Sequence, residues 1–483
     1  MTATTLVYPV QTRRWPSVLR AILAVCAIAI AAAMVIAVAG ASLNFFVFLF
    51  WCTIFVASLY LARPLSGRAV AGERESVLLA YLVIWAFLMI SEAVFTHNQT
   101  TQSAANGNVG DNALYQALSW ILSFFALAFI SWFRPAYLRR LFTGPMKWVS
   151  FFAVVAVLSS PLSQKPAYSL ALAFKLSLIV LTLGAIAEAI SDQAGIFKLY
   201  AALFVGMLVS VTAEFLAPLF RQGDVFASDG RLGFMIGLSG TCGLLLLLSV
   251  LFLWMTKNPW FLLCALYSVV IMMLAGTKGG MVASFVSLMM FFVLLKRPAQ
   301  ALAVSSVFTG IFLLCVIFTP LGKNLEKYSE SGNAGTLTGR TNLWSTTWPE
   351  ITSHPIMGKG YRASRFLSED VPGTFQEAGN MHNSFMEVLY NNGLAGLIPI
   401  AVINLLIVVN LKDAIIRPRS LELRYYAAAA FALFTHLFVW GLVAVTFGGP
   451  PDNRFMTFFA VLAISMFLRA QCDMRYRKTV YGK

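Results

Sequence analysis

Long apolar segments alternate with short polar connections along almost the whole chain. About 14 of these segments run for roughly 16 to 26 residues, a length at which a helix crosses a bilayer. They lie near residues 19–41, 43–62, 76–95, 115–133, 147–162, 168–190, 198–220, 232–254, 258–275, 280–295, 301–320, 385–411, 421–447 and 454–470. The pattern predicts an all-α, polytopic membrane protein, in which the short segments 147–162 and 280–295 are tilted or re-entrant.

One polar interruption divides the pattern. Residues 321–384 separate an N-terminal bundle of about 11 helices, residues 1–320, from residues 385–483, which carry the last helices and a basic tail. Polar reacting groups must sit outside the hydrocarbon, and long loops on rigid scaffolds often carry function. We therefore expect residues 321–384 to be a catalytic loop.

A short helix is predicted inside this loop. Trp344, Trp348 and Ile351 recur at positions i, i+4 and i+7, as on one face of an amphipathic helix at the membrane interface. Pro349 and Pro355 are expected to limit its length. A second short helix is predicted to start after His382 and to stop at residues 391–393, unless it continues from Phe385 into the next span.

Composition and charge agree with a membrane location. The 483 residues are 59% hydrophobic and 11% charged, with a mean hydropathy of +0.78. A net charge of +15 would suggest nucleic acid in a soluble protein, but here we interpret it as topogenic. Most Lys and Arg residues fall on one side if both termini are cytoplasmic, which places the long loop outside the cytoplasm. Arg13, Arg14 and Arg20 precede the first apolar segment, which we expect to be a retained helix.

Several cations lie on the outer face despite this charge rule. Arg221 and Arg231 flank the connection between the seventh and eighth segments, and Lys278 follows the ninth. Arg340 lies in the long loop. A guanidinium binds a diphosphate through two parallel hydrogen bonds, so Arg340 and Arg231 are candidate diphosphate ligands, although either could also be an interfacial anchor. Lys278 and Arg221 are further candidates for the same role.

His382 is the candidate for proton transfer, because imidazole titrates near neutral pH and can act as a general base. The alternative is a structural histidine that ties the loop to its neighbours. His436, in the middle of a segment, is expected to make a buried interhelical hydrogen bond. The sequence contains no HExxH motif, Cys/His cluster or DxD motif, so we expect no metal and no cofactor.

Lys175 and Glu214 lie inside the sixth and seventh segments at similar depth. Ionisable residues within a membrane are costly and tend to be functional, so we expect an ion pair there. The pair would hold a donor cavity open, or Lys175 would reach a lipid phosphate. The alternative is a structural clamp.

The loop motifs together resemble the O-antigen ligase and Wzy-type polysaccharide polymerase family, with residues 158–175 similar to its exopolysaccharide polymerase branch. The motif residues are Thr338-Gly339-Arg340, Trp344, Pro355, Gly358-Lys359-Gly360, His382-Asn383-Ser384-Phe385, Glu387 and Gly393-Leu394-Ala395-Gly396. Outside this set, Arg231 matches a second family arginine, but the turn that often follows it there is replaced by Ile236-Gly237-Leu238-Ser239-Gly240.

The resemblance implies a membrane glycosyltransferase of GT-C type in the bacterial inner membrane. Its donor would be an oligosaccharide on undecaprenyl diphosphate, with Arg340 as a diphosphate ligand and His382 activating the acceptor hydroxyl. The anomeric centre would be inverted, without a metal. A flippase and a chain-length regulator would be partners, and no nucleic acid is expected.

Three functions follow in order of expectation. The first is a polymerase that joins lipid-linked repeat units into an exopolysaccharide or O-antigen-like chain. The second is a ligase that transfers a finished glycan to lipid A core or to a protein. The third, from another class, is a flippase for lipid-linked oligosaccharides, which would explain the spans but not the clustered loop motifs.

Overall fold

A computed structural model gives the fold of most of the chain. It describes residues 52, 53, 55, 70–96, 113–133, 139–221, 236–318, 340–367, 380–416, 418 and 420–481. The helices are α1 (Val70–Thr96), α2 (Ala113–Phe133), α3 (Met146–Ser159), α4 (Pro166–Ala189), α5 (Gln193–Arg221), α6 (Ile236–Thr256), α7 (Trp260–Ala275), α8 (Lys278–Leu294), α9 (Pro298–Phe318), α10 (Arg340–Ser353), α11 (Ser384–Ile416), α12 (Leu421–Gly441) and α13 (Asn453–Tyr481). Short 3-10 turns occupy Arg140–Phe142, Ser160–Leu162 and Ala363–Phe366, and these described parts contain no strand.

Twelve of the predicted apolar segments coincide with helices, namely α1 to α9 and α11 to α13. The segment 19–41 lies outside the described residues, and so does nearly all of 43–62. Within the described ranges, α4, α5, α6, α11 and α13 are long and apolar enough to cross a membrane. The all-helical membrane architecture is therefore confirmed, whereas the count of 14 spans remains a prediction.

Connections that the charge rule assigned to the outer face meet at one end of the bundle. The backbone of Gly360 lies against the backbone of Ser163, in the connection between α3 and α4. Asn383 donates its side-chain N–H to the carbonyl of Leu442, just after α12, at 3.0 Å. The long loop thus packs on neighbouring connections of the same end.

Other described connections meet at the opposite end. There Lys198 pairs with Glu75, and Arg424 donates to the carbonyl of Leu294 at 2.8 Å. The described connections therefore lie at two ends, as the distribution of Lys and Arg predicted. Which end faces the cytoplasm stays a prediction.

Small residues let α6, α8 and α12 approach closely. A Cβ atom at Gly240 of α6 would lie 1.6 Å from the Trp440 ring of α12, so only glycine fits there. The Nε2 of His436 donates to the carbonyl of Gly240 at 3.0 Å. The predicted interhelical hydrogen bond of His436 is confirmed, and it ties together the helices beneath the outer-end loops.

Candidate active site around His382

His382 lies two residues before the start of α11, and hydrogen bonds to neighbouring residues hold its backbone in place. Its φ of +49° is left-handed, which is uncommon for a residue with a Cβ atom. The indole N–H of Trp344 donates to the carbonyl of Met381 at 2.8 Å, and the N–H of Met381 donates to Glu387 at 2.9 Å. The N–H of His382 donates to the side-chain oxygen of Asn380 at 2.9 Å. These bonds fix the backbone position from which the imidazole side chain of His382 extends.

Asn383 and Ser384 attach this site to the connection between α12 and α13. The side-chain oxygen of Asn383 caps α11 by accepting from the N–H of Phe385 at 2.9 Å. Its amide group reaches the carbonyl of Leu442, and the hydroxyl of Ser384 accepts from the N–H of Thr446 at 2.9 Å. The motif residues after His382 therefore anchor it and do not line up as further acids or bases.

The structure brings Arg340 and His382, both predicted from the sequence, within electrostatic reach of each other. Arg340 is the first residue of α10 and is half-buried. Burial, and then the charge of Arg340, lower the pKa of His382 to about 4. The imidazole is consequently neutral at neutral pH and can accept a proton. A cation that can bind an anion thus lies beside a neutral base.

A buried ion pair behind His382 was not predicted from the sequence. Arg362 and Glu387 pair at 2.9 Å, with side chains 6% and 0% exposed. The same carboxylate oxygen accepts from the hydroxyl of Ser364 at 2.5 Å and from the amide of Asn391 at 3.1 Å. Burial acts to lower the pKa of Arg362, but Glu387, Tyr168 and Tyr361 together outweigh it and raise that pKa. Arg362 therefore remains charged inside the loop.

Helix α11 breaks at Gly393, and the loop bridges the break. Gly393 has φ 58° and ψ −156°, which interrupts the helical hydrogen bonds. Four backbone hydrogen bonds cross the gap. The N–H groups of Lys359 and Gly360 donate to the carbonyls of residues 390 and 391, at 2.8 and 2.9 Å. In the other direction, the N–H groups of Leu394 and Ala395 donate to the carbonyls of residues 355 and 356, also at 2.8 and 2.9 Å. We call residues 355–360 the clasp. The predicted helix stop at 391–393 is confirmed as this break.

Helix α10 forms as predicted and differs in one detail. Its buried face carries Leu343, Thr347 and Ile351, whereas Trp348 is 50% exposed. The location of this helix at a membrane interface stays a prediction. Pro349 lies inside the helix, which continues to Ser353, so this proline does not end it.

Two of the remaining three predicted cations occupy the ends of helices. Lys278 is the exposed first residue of α8, and its neighbour Gly279 packs against Val443 beyond α12. Arg221 is the last residue of α5, and Arg231 lies outside the described residues. Their role as diphosphate ligands stays a prediction.

One outer-end cation was missed by sequence reasoning. Arg454, in the first turn of α13, pairs with Asp452 and lies 5.3 Å from the ring centroid of Trp440. Its guanidinium also lies 3.6 Å from the position of a Cβ atom on Gly237. One local signal for Arg454 was present in the sequence, which is its position two residues after Asp452, whose side chain caps the start of α13.

Lys175 and Glu214 lie within the bundle. Lys175 is 1% exposed, and its ammonium lies 5.5 Å from the ring centroid of Trp120. Glu214 is half-buried, and its charge acts on Cys242 of α6. Helices α4 and α5 both pack against α1. The expected ion pair between Lys175 and Glu214 remains a prediction.

In the part of the chain that the structure describes, no group of three or more His, Cys, Asp and Glu residues is arranged to hold a metal ion. The site described above consists instead of one base, guanidinium groups and hydrogen-bond donors.

Comparison with known proteins bears on the same segment. The family model described as O-antigen ligase matches residues 262–401. The match begins in α7, covers Lys278, Arg340 and His382, and ends in α11 after the break at Gly393. It confirms the resemblance inferred from the loop motifs. No curated protein matches the chain.

Proposed function

Because residues 262–401 form a domain of the O-antigen ligase family, we propose that this chain is a polymerase that joins lipid-linked oligosaccharide repeat units into an exopolysaccharide or O-antigen-like chain. The donor is the saccharide on undecaprenyl diphosphate, and the reaction takes place on the periplasmic face of the bacterial inner membrane. The enzyme is an inverting glycosyltransferase of GT-C type that needs no metal.

The observation that supports this proposal is the neutral imidazole of His382 beside the guanidinium of Arg340. Arg340 binds the diphosphate, Lys278 adds positive charge from the start of α8, and Arg231 and Arg221 are the further diphosphate ligands expected from the sequence. These cations stabilise the charge that develops on the leaving group. The acceptor hydroxyl oxygen then bonds to the anomeric carbon as the bond to the diphosphate breaks.

Proton balance follows from the same geometry. His382 takes the proton of the attacking hydroxyl, and the lipid diphosphate leaves as an anion. With a pKa of about 4, the imidazole of the empty site is a weak base. A diphosphate bound to Arg340 offsets that positive charge, so donor binding raises the pKa of His382 towards neutrality. The base is then strongest when the donor is in place.

A ligase is the second candidate, because the matched family model is described as an O-antigen ligase. A ligase would use the same donor end and transfer a finished glycan to lipid A core or to a protein. A flippase, the alternative from another class, requires no proton acceptor beside a phosphate ligand.

The test supplies purified protein in detergent with only the undecaprenyl-diphosphate-linked repeat unit of its own host, and resolves the products on a gel. We expect a ladder of oligosaccharides that is lost in His382→Ala and Arg340→Ala. His354→Ala is the matched control, because His354 is an exposed histidine in the same loop and its loss should leave the ladder intact.

Each other outcome excludes the polymerase. Donor consumption only after lipid A core or a protein acceptor is added identifies a ligase. No bond formation under either condition, combined with translocation of the lipid-linked donor in vesicles, identifies a flippase.

A further inference from the structure

One carboxylate lies at the centre of the hydrogen bonds behind His382. Glu387 is fully buried in the first turn of α11. One of its carboxylate oxygens accepts hydrogen bonds from three side chains, those of Arg362, Ser364 and Asn391. Its other oxygen accepts a bond from the N–H of Met381, the residue before His382. That last bond extends the network to the candidate base.

The backbone of His382 needs such support. A residue with a Cβ atom at φ +49° is disfavoured and persists only where its surroundings fix it. Met381 is held on both sides, because its carbonyl accepts from Trp344 while its N–H donates to Glu387. If Met381 loses its bond to Glu387, the backbone of His382 can relax towards a negative φ. This relaxation would move the imidazole out of its present position.

We propose that Glu387, held in place by Arg362, is a positioning residue that keeps the imidazole of His382 aimed at the acceptor hydroxyl. Glu387 is buried and acts only through the backbone of Met381. This inference rests on the proposed function, since it assigns His382 as the base.

A role in stability alone makes a different prediction. Loss of a buried ion pair would lower the yield of folded protein while each folded molecule kept its turnover. Displacement of the base instead lowers kcat, because misplacing a reacting group by about 1 Å can cost roughly 100-fold in rate. Donor KM is set by the cations and should change little. Turnover per folded molecule therefore separates the two roles.

Glu387→Gln is the direct test, because it keeps the shape and removes the charge. Glutamine has one acceptor oxygen and one NH₂ group, and Arg362 retains the oxygen. The NH₂ group then faces the N–H of Met381, and because both groups are donors, no hydrogen bond forms between them. We expect kcat of folded, purified protein to fall about 100-fold, with donor KM within about threefold of wild type.

Ser159→Ala is the matched control. It removes a buried hydrogen bond of 2.8 Å to Asn392, which lies on the same helix as Glu387, near the break, but does not contact Met381. We expect it to reduce thermal stability while kcat stays within about twofold of wild type, since the peptide before His382 keeps its bonds.

A second variant keeps the test decisive if Glu387→Gln does not fold. Trp344→Phe removes the indole N–H that donates to the carbonyl of the same residue, Met381, and it should lower kcat without raising donor KM.

The outcomes are distinct. Wild-type kcat per folded molecule in Glu387→Gln and in Trp344→Phe, or a loss confined to KM, would overturn the inference. The proposed function is judged separately. It holds if wild-type protein forms a glycosidic bond and His382→Ala does not, even when the variants of Glu387 and Trp344 overturn the inference. If wild-type protein forms no glycosidic bond, the proposed function itself is wrong.

Discussion

Replacing Gly393 with alanine should destabilise the protein strongly, because both the backbone and the available space require glycine. Its φ of 58° and ψ of −156° lie in a region that is nearly restricted to glycine, where another residue costs about 1–3 kcal/mol. A Cβ atom would lie 2.4 Å from the carbonyl oxygen of Ile356 and 2.7 Å from that of Pro355. Moving the clasp away would sacrifice the bonds from Leu394 and Ala395, at roughly 1 kcal/mol each. The sum is about 3–5 kcal/mol.

The measurement is thermal unfolding of purified protein in detergent, followed by tryptophan fluorescence, with turnover recorded at a temperature where both proteins are folded. Gly310→Ala is the matched control, since Gly310 lies inside α9 and a Cβ atom there meets nothing within 4 Å. It should be neutral or stabilising by about 0.5–1 kcal/mol, as for Gly to Ala in a helix interior. If Gly393→Ala unfolded at the temperature of Gly310→Ala, the account of the clasp would be refuted.

Two further predictions concern the half-buried His382 and the buried His436. In a pH–rate profile, kcat/KM should be lost as pH falls through about 4, because a general base works only when deprotonated. Arg340→Gln should raise the pKa of His382, since one of the causes that lowers it is removed. Because this variant is expected to lose activity, the pKa is followed by NMR titration of the imidazole, and an unchanged pKa would contradict the coupling. His436→Leu removes the bond to Gly240 and should reduce stability by about 0.6–1.7 kcal/mol in a thermal scan, with turnover of the folded protein unchanged. A large drop in kcat would instead place His436 in the reaction.

Much of the fold could be predicted because the bilayer imposes simple rules. Apolar length alone located α1 to α9 and α11 to α13, and the Lys and Arg distribution sorted the connections onto two ends. The presence of α10 and the break at Gly393 followed from local signals. The proximity of Arg340 and His382 was implied by the family resemblance and not by their spacing of 42 positions along the chain.

The rest depended on tertiary contacts that no local pattern encodes. Arg362 lies in a basic stretch that reads as an ordinary surface loop, and its partner Glu387 follows 25 positions later. Trp344 uses its indole N–H to hold the carbonyl of Met381, a contact across 37 positions that the periodicity of the helix does not indicate. Pro349 lies inside α10, so the proline in the pattern did not mark the end of the helix.

The clasp has a consequence for how this loop can diverge and be engineered. All four of the bonds that bridge the helix break join backbone atoms, so they place no demand on the side chains that carry them. Ile356, at 68% exposure, can accordingly be exchanged freely, whereas the glycine at 393 cannot.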